Sequence, residues 1–320
     1  MGHALQCAAL SLVRQMESVT MAIQWFPGHM NKARRKITEA MPDIDLIIEV
    51  VDARLPFSST NPFVEELCKD KACIKLLNKA DLADPLVTQA WVDYYNQQHN
   101  IQAMPLVAED RSQVKKLITL CKQIGAKRSE KKQSIRVMIM GIPNVGKSTL
   151  INALAGRYIA RTGNEPAVTK ANQMIDLKNG IILSDTPGIL WPKFENELSG
   201  YRLAASGAVK DTAIEYIDVA TFAVGFLLNH YGKELQERYK LKAIPATGDE
   251  GLQQIGAKRG CLRPGGVTDL HKASELVLHE LRAGKIGRIT LETPVMVEQE
   301  LAAIEAARLL LLAESADKPE

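Results

Sequence analysis

The sequence is poor in the features that mark secreted, zinc-binding and membrane-spanning proteins. Its five cysteines include no CxxC pair, which argues against a zinc site and a disulfide framework and fits a reducing cytosol. The longest apolar stretch, Val219 to Leu228, is far below the roughly 18 residues that a membrane helix needs, and it is typical of a buried helix. The formal net charge of +3 gives no indication of nucleic acid by itself.

What is present is enough apolar sequence for two domains. Of 320 residues, 46% are hydrophobic and 24% are charged, a balance typical of folded globular proteins. The first 20 residues show no cleavage pattern and carry both Arg14 and Glu17, unlike a signal or transit peptide. We expect residues 1–20 to be a non-functional extension that precedes Met21.

The pattern of apolar runs predicts an α/β domain followed by a smaller, all-helical one. Runs of strand length alternate with helix-length segments, which indicates a mostly parallel sheet with helices on both faces. These runs are Leu46 to Asp52, Cys73 to Asn78, Ile135 to Met140 and Ile181 to Leu183. Helical spacing then takes over, at Asp211 to Tyr231, Leu270 to Ala283 and Leu301 to Ala313. The expected domains are residues 21–200 and 201–320.

The segment from Gly141 to Ser148 reads GIPNVGKS and satisfies the phosphate-binding pattern GxxxxGK[ST]. It follows an apolar strand and precedes a helical run, which is the context that the motif requires. Backbone N–H groups are expected to face the phosphates, with Lys147 reaching the β- and γ-phosphates and the Ser148 hydroxyl joining a Mg²⁺ shell. The residues predicted to bind nucleotide here are Gly141, Asn144, Val145, Gly146, Lys147, Ser148 and Thr149, of which Lys147 is also a predicted catalytic residue.

Two further segments are predicted to complete a phosphate and metal site. Residues Asp185 to Gly188 read DTPG after an apolar run, so Asp185 is expected to hold Mg²⁺ through water and the Gly188 N–H to contact the γ-phosphate. Thr169 lies between the two motifs and is predicted to supply the second metal-binding hydroxyl from a switch loop. A lone threonine in a loop usually has no such role, and its position between the motifs is what favours it.

A guanine-reading motif is predicted at Asn78 to Asp81, which reads NKAD after a strand-length run. The Asp81 carboxylate can accept the N1–H and the exocyclic N2–H of guanine, donors that adenine does not offer in that pairing. Lys79 is expected to pack on the base, and Asn78 to tie the loop to the phosphate-binding loop. Together with the other motifs, NKAD predicts a GTPase. The leading enzyme alternative, a P-loop enzyme acting on another small molecule or nucleotide, has no need of it.

The order of these motifs is unusual, because Asn78 lies 63 residues before Gly141, whereas ordinary GTPases have the reverse order. The same sheet can form if the usual termini are joined and the chain is opened elsewhere, since the termini of compact domains often lie close together. The polar, cationic stretch Gly125 to Ser134 is the predicted joint. With the chain opened after DTPG, the γ-phosphate-sensing segment leads directly into the helical domain.

With these motifs the sequence resembles the circularly permuted GTPases of the ribosome biogenesis GTPase A (YlqF) family. The resemblance covers Ile23 to about Pro294 and includes WFPGHM from Trp25, DAR from Asp52 and GKIGR from Gly284. It implies a cytoplasmic enzyme that hydrolyses GTP with Mg²⁺ and binds the large ribosomal subunit precursor, through rRNA and ribosomal proteins, late in assembly. Neither a membrane nor DNA is an expected partner. The alternative is a P-loop GTPase with another RNA- or protein-binding output.

The resemblance also implies roles for three residues. His29 matches the histidine implicated in hydrolysis in the family, although a histidine before a basic helix is more often a cap or a surface residue. Asn144 matches the asparagine that accompanies K⁺-stimulated hydrolysis, so K⁺ is a possible activator, and stabilisation of a turn is the alternative role. Ile189 stands where classical GTPases have a water-orienting glutamine.

The sequence departs from the family pattern in two places. The switch segment reads PAVT from Pro166 to Thr169, where Pro-Gly-x-Thr is common, which puts the geometry of that loop in doubt. A Ser-Ala-type motif that supports the base is expected after a strand near Ala103 to Val107. No such motif is recognisable there, so the sequence assigns no residue to this role.

Basic residues form three clusters, which predict localised contacts with RNA phosphates despite the near-neutral net charge. Few aromatic residues interleave with them, which favours backbone and shape contacts over base stacking. The alternative for each cluster is an ordinary solvated surface. The clusters are Lys32, Arg34, Arg35 and Lys36; Lys127, Arg128, Lys131 and Lys132; and Arg282, Lys285 and Arg288.

Overall fold

The computed structural model describes residues 27–126, 134–159, 173–186, 196–209 and 215–316. Its first part alternates helices and strands: α1 (Pro27–Ala40), a 3-10 turn (Met41–Asp43), β1 (Leu46–Asp52), α2 (Pro62–Cys68), β2 (Ala72–Asn78), α3 (Pro85–Asn96), β3 (Ile101–Leu106), α4 (Arg111–Ala126), β4 (Ile135–Met140), α5 (Lys147–Ala155), β5 (Gln173–Asp176) and β6 (Ile181–Asp185). Its second part is helical: α6 (Glu197–Ser206), α7 (Tyr216–His230), α8 (Gly232–Tyr239), α9 (Gly248–Lys258), α10 (Leu270–Arg282) and α11 (Pro294–Ala316).

Six strands form one sheet in the order β3-β2-β1-β4-β6-β5. All neighbouring strands are parallel except β5, which is antiparallel to β6. Strands β1 and β2 are buried along their whole length, as expected where helices cover both faces of a parallel sheet. The predicted α/β class, with a mostly parallel sheet and a helical second part, is confirmed.

The sheet order explains how the permuted chain builds one site. Strands β1 to β3 form one half of the sheet and β4 to β6 the other, and the two halves meet where β1 pairs with β4. The chain passes from one half to the other through α4 and residues 127–133. The predicted joint at Gly125 to Ser134 therefore begins in the last turn of α4, and its middle lies outside the described residues.

The helical part is built around α7, against which α6, α9 and α10 pack. Val219, Ala223, Val224 and Leu227 are fully buried along α7, which accounts for the apolar run in the sequence. The expected division at residue 200 falls within α6, so its exact place stays a prediction. Within the described residues, no helix is long and apolar enough to cross a membrane.

A buried ionic group, here called the junction cluster, joins the two parts and consists of Ser58, Arg202, Glu292 and Glu300. Arg202 on α6 is 1% exposed, and its Nη1 donates to Glu300 Oε2 at 2.9 Å and lies 3.4 Å from Glu292 Oε2. The Ser58 N–H donates to Glu292 Oε1 at 2.8 Å. Burial raises the pKa of Glu292, and Arg202 partly opposes that shift. The cluster thus ties the loop after β1 to α6 and α11.

Candidate nucleotide site

Most of the described site residues gather at the carboxyl edge of the parallel strands. Asp52 pairs in register with Asn78, and Asn78 with Leu106, so β1, β2 and β3 end side by side. Strands β4 and β6 end at the same edge, at Met140 and Asp185. Ligands of open α/β sheets bind at this edge.

The phosphate-binding loop passes so close to its neighbours that two positions exclude any side chain. A Cβ on Gly141 would lie 2.4 Å from the Val50 carbonyl oxygen, and one on Gly146 would lie 2.3 Å from Asn78 Nδ2. Both glycines also have positive φ angles, +147° and +96°, which disfavour other residues. The motif glycines therefore hold the loop directly over β1 and the NKAD asparagine.

Lys147 begins α5 and points back into this loop. Its Nζ donates to the carbonyl oxygens of Gly141 at 2.9 Å and Ile142 at 2.7 Å, and the residue is 8% exposed. The helix is preceded by Gly146, which has no side chain with which to cap it. The first-turn N–H groups of Lys147, Ser148 and Thr149 thus carry the partial positive charge that favours a phosphate.

The NKAD loop is locked to the phosphate-binding loop by two side chains. Asn78 Nδ2 donates to the Val145 carbonyl and Lys79 Nζ to the Asn144 carbonyl, each at 2.7 Å. Asn78 Oδ1 is buried and has no hydrogen-bond partner within the described part of the chain. The tie that the sequence predicted for Asn78 is the one the structure has, and Lys79 adds a second.

Asp52 supplies the negative charge beneath this contact. Its carboxylate accepts from Lys79 Nζ at 2.9 Å and from Arg54 through Nε at 2.9 Å and Nη2 at 2.8 Å. Burial alone would raise the pKa of Asp52, but the Arg54 and Lys79 cations hold it well below its usual range. Burial in turn lowers the pKa of Lys79, which Asp52 partly offsets. The DAR segment received no role from the sequence alone. The visible signal for this ion pair is an Asp and an Arg two residues apart at the end of a strand.

A remote segment, residues 284–292, lies against the outer side of the NKAD loop. Arg288 donates through Nη2 to the Ala80 carbonyl and through Nε to the Ala83 carbonyl, each at 2.9 Å, and the Ile289 N–H donates to the Leu82 carbonyl at 3.0 Å. These contacts join residues more than 200 positions apart, so no local sequence pattern signals them. Sequence reasoning assigned Arg288 to a surface cluster instead.

Part of that third basic cluster is engaged within the protein. Arg282 donates through Nη2 and Nε to the carbonyls of Ala204 and Ala205, at 2.9 and 3.1 Å, at the end of α6. Lys285 is exposed. In the first cluster Arg34 binds Glu66 at 3.3 Å and lies over the Phe63 ring. The second cluster lies outside the described residues.

The loop after β3 lies beside the NKAD loop, at the place where the sequence lacks a recognisable Ser-Ala-type motif. Strand β3 ends at Leu106, whose carbonyl accepts the Ala80 N–H at 3.1 Å. Residues 107–109 follow, with Ala108 buried and the Val107 N–H bound to Gln113 Oε1 at 2.8 Å. Val-Ala-Glu stands here, where the family pattern leads one to expect a Ser-Ala-type motif.

Other predicted site residues are placed only in part. His29 lies in α1 and Asp185 ends β6, while both side chains, like Thr169, Gly188 and Ile189, are outside the described residues. Thr186 of DTPG donates its hydroxyl to the Ile139 carbonyl at 2.8 Å, which brings the start of that loop to the end of β4. Asp81 is exposed at the tip of its loop. The described geometry thus brings the NKAD loop, the phosphate-binding loop and the start of DTPG to one edge, as binding of a guanine nucleotide requires.

Comparisons with known proteins agree with this geometry. The family model described as "50S ribosome-binding GTPase" matches residues 136–245. Ribosome biogenesis GTPase A of Priestia megaterium is 50% identical over 289 residues, covering 88% of this chain and 100% of that protein. Its counterpart from Thermotoga maritima is 34% identical over 282 residues, covering 87% and 98%. The crystal structure of GNP-bound YlqF from T. maritima superposes with a TM-score of 0.57 at 28% identity, covering 82% of this chain and 98% of that one.

Proposed function

The chain belongs to the ribosome biogenesis GTPase A family, and from that premise we propose that it is a GTP-dependent switch that acts on the large ribosomal subunit precursor late in its assembly. The observation that carries the proposal is the route from the phosphate site to the helical part. DTPG leads to α6, where Asn196 Nδ2 donates to Glu300 Oε2 at 2.6 Å and Arg202 binds the same carboxylate. A change at the γ-phosphate would therefore act on α6 and, through the junction cluster, on α11.

In this proposal the motif residues take the following parts. Asp81 reads the guanine edge, and Asn78 and Lys79 hold its loop against the phosphate-binding loop. Lys147 exchanges its neutral carbonyl partners for the β- and γ-phosphates, a favourable exchange because hydrogen bonds between two charged groups are the stronger ones. The first-turn N–H groups of α5 bind phosphate oxygens.

Mg²⁺ fits the donors at this edge, because hydroxyl and carboxylate oxygens are the ligands it prefers. Ser148 lies in the first turn of α5, half-buried beside Lys147, and Thr169 and Asp185 are the other proposed ligands. No group of three or more His, Cys, Asp or Glu side chains that could hold a metal occurs in the described residues, so phosphate oxygens and waters would complete the shell. When bound, the ion neutralises charge that develops on the phosphates.

His29 is the proposed hydrolytic residue, and the course of α1 supports it. The helix ends just before β1 and has 14 residues, a length of about 21 Å, comparable with the roughly 23 Å of a seven-residue strand. Ile37 and Met41 pack with Met138 and Met140 of β4. We infer that the start of α1 reaches towards the carboxyl edge.

K⁺ is a proposed activator acting near Asn144, with Ile189 leaving the site without a water-orienting glutamine. Asn144 Nδ2 donates to the Gly207 carbonyl at 2.9 Å, so this side chain also links the phosphate-binding loop to the end of α6. Turnover of the isolated protein is expected to be slow, and faster in K⁺ than in Na⁺. His29→Ala should lower turnover with little change in GTP affinity.

The proposed partners are rRNA and ribosomal proteins of the precursor particle, met in the cytoplasm. The exposed arginines of α1 support an RNA contact: Arg34 and Arg35 side chains are 58% and 83% exposed. The proposed domains are residues 21–200, which bind the nucleotide and carry this RNA contact, and the helical residues 201–320.

Co-sedimentation with large-subunit precursor particles at fixed salt tests the proposal. A coupling typical of such switches gives roughly 5–150-fold tighter binding with a non-hydrolysable GTP analogue than with GDP, and binding should weaken steeply with salt. Asp81→Asn is a matched control, because its particle binding should come to depend on a xanthosine triphosphate analogue in place of the guanosine one. Binding that ignores the nucleotide, or none to any ribosomal particle, would contradict the switch.

A further inference from the structure

We propose that Arg288 is a positioning residue for guanine recognition, so that the segment 284–292 of the helical part sets how well Asp81 reads the base. The inference rests on the proposed role of Asp81. It goes beyond that role by assigning guanine selectivity to a residue that lies more than 200 positions away in the chain and donates hydrogen bonds to the backbone of the base loop.

The backbone of the base loop carries the inference. Three carbonyls that flank Asp81 accept hydrogen bonds from two neighbouring residues: Ala80 and Ala83 from the Arg288 guanidinium, and Leu82 from the Ile289 N–H. A guanidinium is planar and rigid, so its two N–H groups hold the carbonyls at residues 80 and 83 at a fixed separation. Asp81 and Leu82 are the two residues between these carbonyls, so the arc that carries Asp81 is fixed at both of its ends.

Side chains reinforce the same contact. The Thr290 hydroxyl accepts the Asp84 N–H at 3.0 Å, which fixes the loop where it enters α3. Leu82 packs so closely on Gly284 that a Cβ there would lie 2.8 Å from Leu82 Cδ2. Segment 284–292 therefore holds the loop at residues 80, 82, 83 and 84.

The clamp formed by segment 284–292 is continuous with the core of the helical part. The Tyr231 hydroxyl at the end of α7 accepts the Thr290 N–H at 3.2 Å and lies 3.2 Å from the Thr290 carbonyl and 3.4 Å from Asp84 Oδ2. Burial raises the pKa of Tyr231 to about 12, so the group keeps its proton as a donor. A displacement of α7 would therefore move segment 284–292 and, through it, the base loop.

Two carboxylate oxygens must meet two guanine N–H groups, so selectivity depends on the orientation of Asp81 and not only on its presence. Removing Arg288 leaves the Ala80 and Ala83 carbonyls to water and frees the arc to adopt other shapes. Loss of one charge-assisted hydrogen bond typically weakens binding by about 10-fold or more, and partial rearrangement of the loop leads us to expect about 5–30-fold weaker GDP binding. By reciprocity, a partner that pulls segment 284–292 away would release the nucleotide faster, and bound guanine would favour the docked segment.

The test compares GDP with IDP, whose hypoxanthine base keeps the N1–H but lacks the 2-amino group. Affinities for both nucleotides are measured by titration for the full chain, Arg288→Ala, Arg288→Lys and Asp81→Asn. Lys285→Ala is the matched control, because it removes an exposed cation of the same segment. Arg288→Ala should lower the GDP-to-IDP affinity ratio at least about 3-fold, Arg288→Lys should resemble it because an ammonium cannot span both carbonyls, and Lys285→Ala should match the full chain.

The outcomes separate this inference from the proposed base site. If Asp81→Asn leaves the ratio unchanged, the base site itself is wrong and the inference falls with it. If Asp81→Asn lowers the ratio while Arg288→Ala weakens GDP and IDP equally, or changes neither, Arg288 is not a positioning residue. Should Arg288→Ala not fold, Thr290→Val takes its place, because it removes the Asp84 hydrogen bond without a change of charge. A lowered ratio in Thr290→Val supports the clamp, whereas an unchanged ratio overturns it.

Discussion

The two ends of the nucleotide site are tied to the helical part in different ways. At the base end, segment 284–292 lies directly on the NKAD loop. It donates hydrogen bonds to the backbone carbonyls of Ala80, Leu82 and Ala83, and it accepts one from the Asp84 N–H. At the phosphate end, the described ties are the Asn144 side chain on Gly207 and the anchoring of α6 by the junction cluster. One end is held by a direct clamp, and the other through a helix that follows the DTPG loop.

This difference separates two kinds of coupling. A clamp on the base loop acts on affinity whatever phosphates are present, since guanine is common to GTP and GDP. A helix joined to the DTPG loop would act on the difference between GTP and GDP, since that loop carries Gly188, whose N–H is the proposed γ-phosphate contact. Variants at the base end, at the phosphate end and at the junction between the two parts should therefore change different measured properties: the GDP-to-IDP affinity ratio, GTP turnover and stability, respectively.

Loss of Arg202 should have the largest effect, and on stability. Arg202→Leu leaves Glu292 and Glu300 as buried carboxylates without this cation, and breaking a buried pair in this way costs about 3–5 kcal/mol. Unfolding in urea measures the change. Arg259→Ala is the control, because Arg259 shares Glu280 with Arg238 at a partly exposed site, where one pair contributes about 0–1 kcal/mol. Equal losses in the two variants would show that the junction cluster does not anchor α6.

Lys147→Ala should break the phosphate end and leave the base end intact. Loss of one preorganised charge on the transferring phosphate is expected to lower GTP turnover by about 10²–10³-fold. The GDP-to-IDP affinity ratio should stay that of the full chain, because Lys147 acts on the phosphates and not on the base. Turnover is measured by phosphate release, with Lys178→Ala, an exposed lysine between β5 and β6, as a control that should behave normally. A changed ratio would mean that the two ends are not separable.

Matched glycine substitutions should sharpen the comparison further. Gly141→Ala meets the Val50 carbonyl oxygen at a φ of +147°, away from the NKAD loop, and should weaken all nucleotides by about 10–100-fold. Gly284→Ala meets the movable end of Leu82 at a φ of +67°, and should weaken GDP by about 2–10-fold while lowering the GDP-to-IDP ratio. Nucleotide titrations of both variants against IDP and GDP measure this. Identical GDP-to-IDP affinity ratios in the two variants would contradict the separation of the base end from the phosphate end.

The smallest expected effect is the pH dependence of stability that Asp52 causes at the base end. Because the folded pKa of Asp52 lies below its usual value, its contribution to stability is complete above the unfolded pKa of about 3.9 and declines as pH falls towards the folded pKa. The stability difference between the full chain and Asp52→Asn should be steady from about pH 5 to 7, at about 1–3 kcal/mol, and shrink below about pH 4. Urea unfolding across this range measures it. A difference that grows on acidification would contradict the ion pair.

The sequence was informative where the physics is local. The apolar run before Gly141, the GxxxxGKS pattern and the helical run after it are consecutive in the sequence, so they predicted the strand, the turn and the helix together. Asn78 reaches a loop 67 residues away, yet its motif was still readable. The antiparallel β5 was not predicted, because four residues are too few for an apolar pattern.

What the sequence could not predict is pairing across long separations. In the sequence, Arg288 and Arg282 look like members of any exposed basic cluster. What distinguishes them is that they donate hydrogen bonds to backbone carbonyls on distant parts of the chain. Glu292 and Glu300 read as ordinary surface acids until the fold brings Arg202 between them. The contact between the NKAD loop and the end of β3 was not predicted for another reason: it joins the Ala80 N–H to the Leu106 carbonyl, and a backbone contact leaves no motif in the sequence.

The separation between the clamp and its loop has a consequence for how the protein is made. The Ala80 carbonyl and its Arg288 donor are 208 residues apart, and chain synthesis at about 5–20 residues per second puts roughly 10–40 s between them. In the later part of that interval, once residue 148 has been made, NKAD and the phosphate-binding loop both exist while the base loop still lacks its outer partners. We expect the nascent chain to bind guanine nucleotides well only after residue 292 has left the ribosomal exit tunnel, so nucleotide affinity reports that synthesis has passed the clamp.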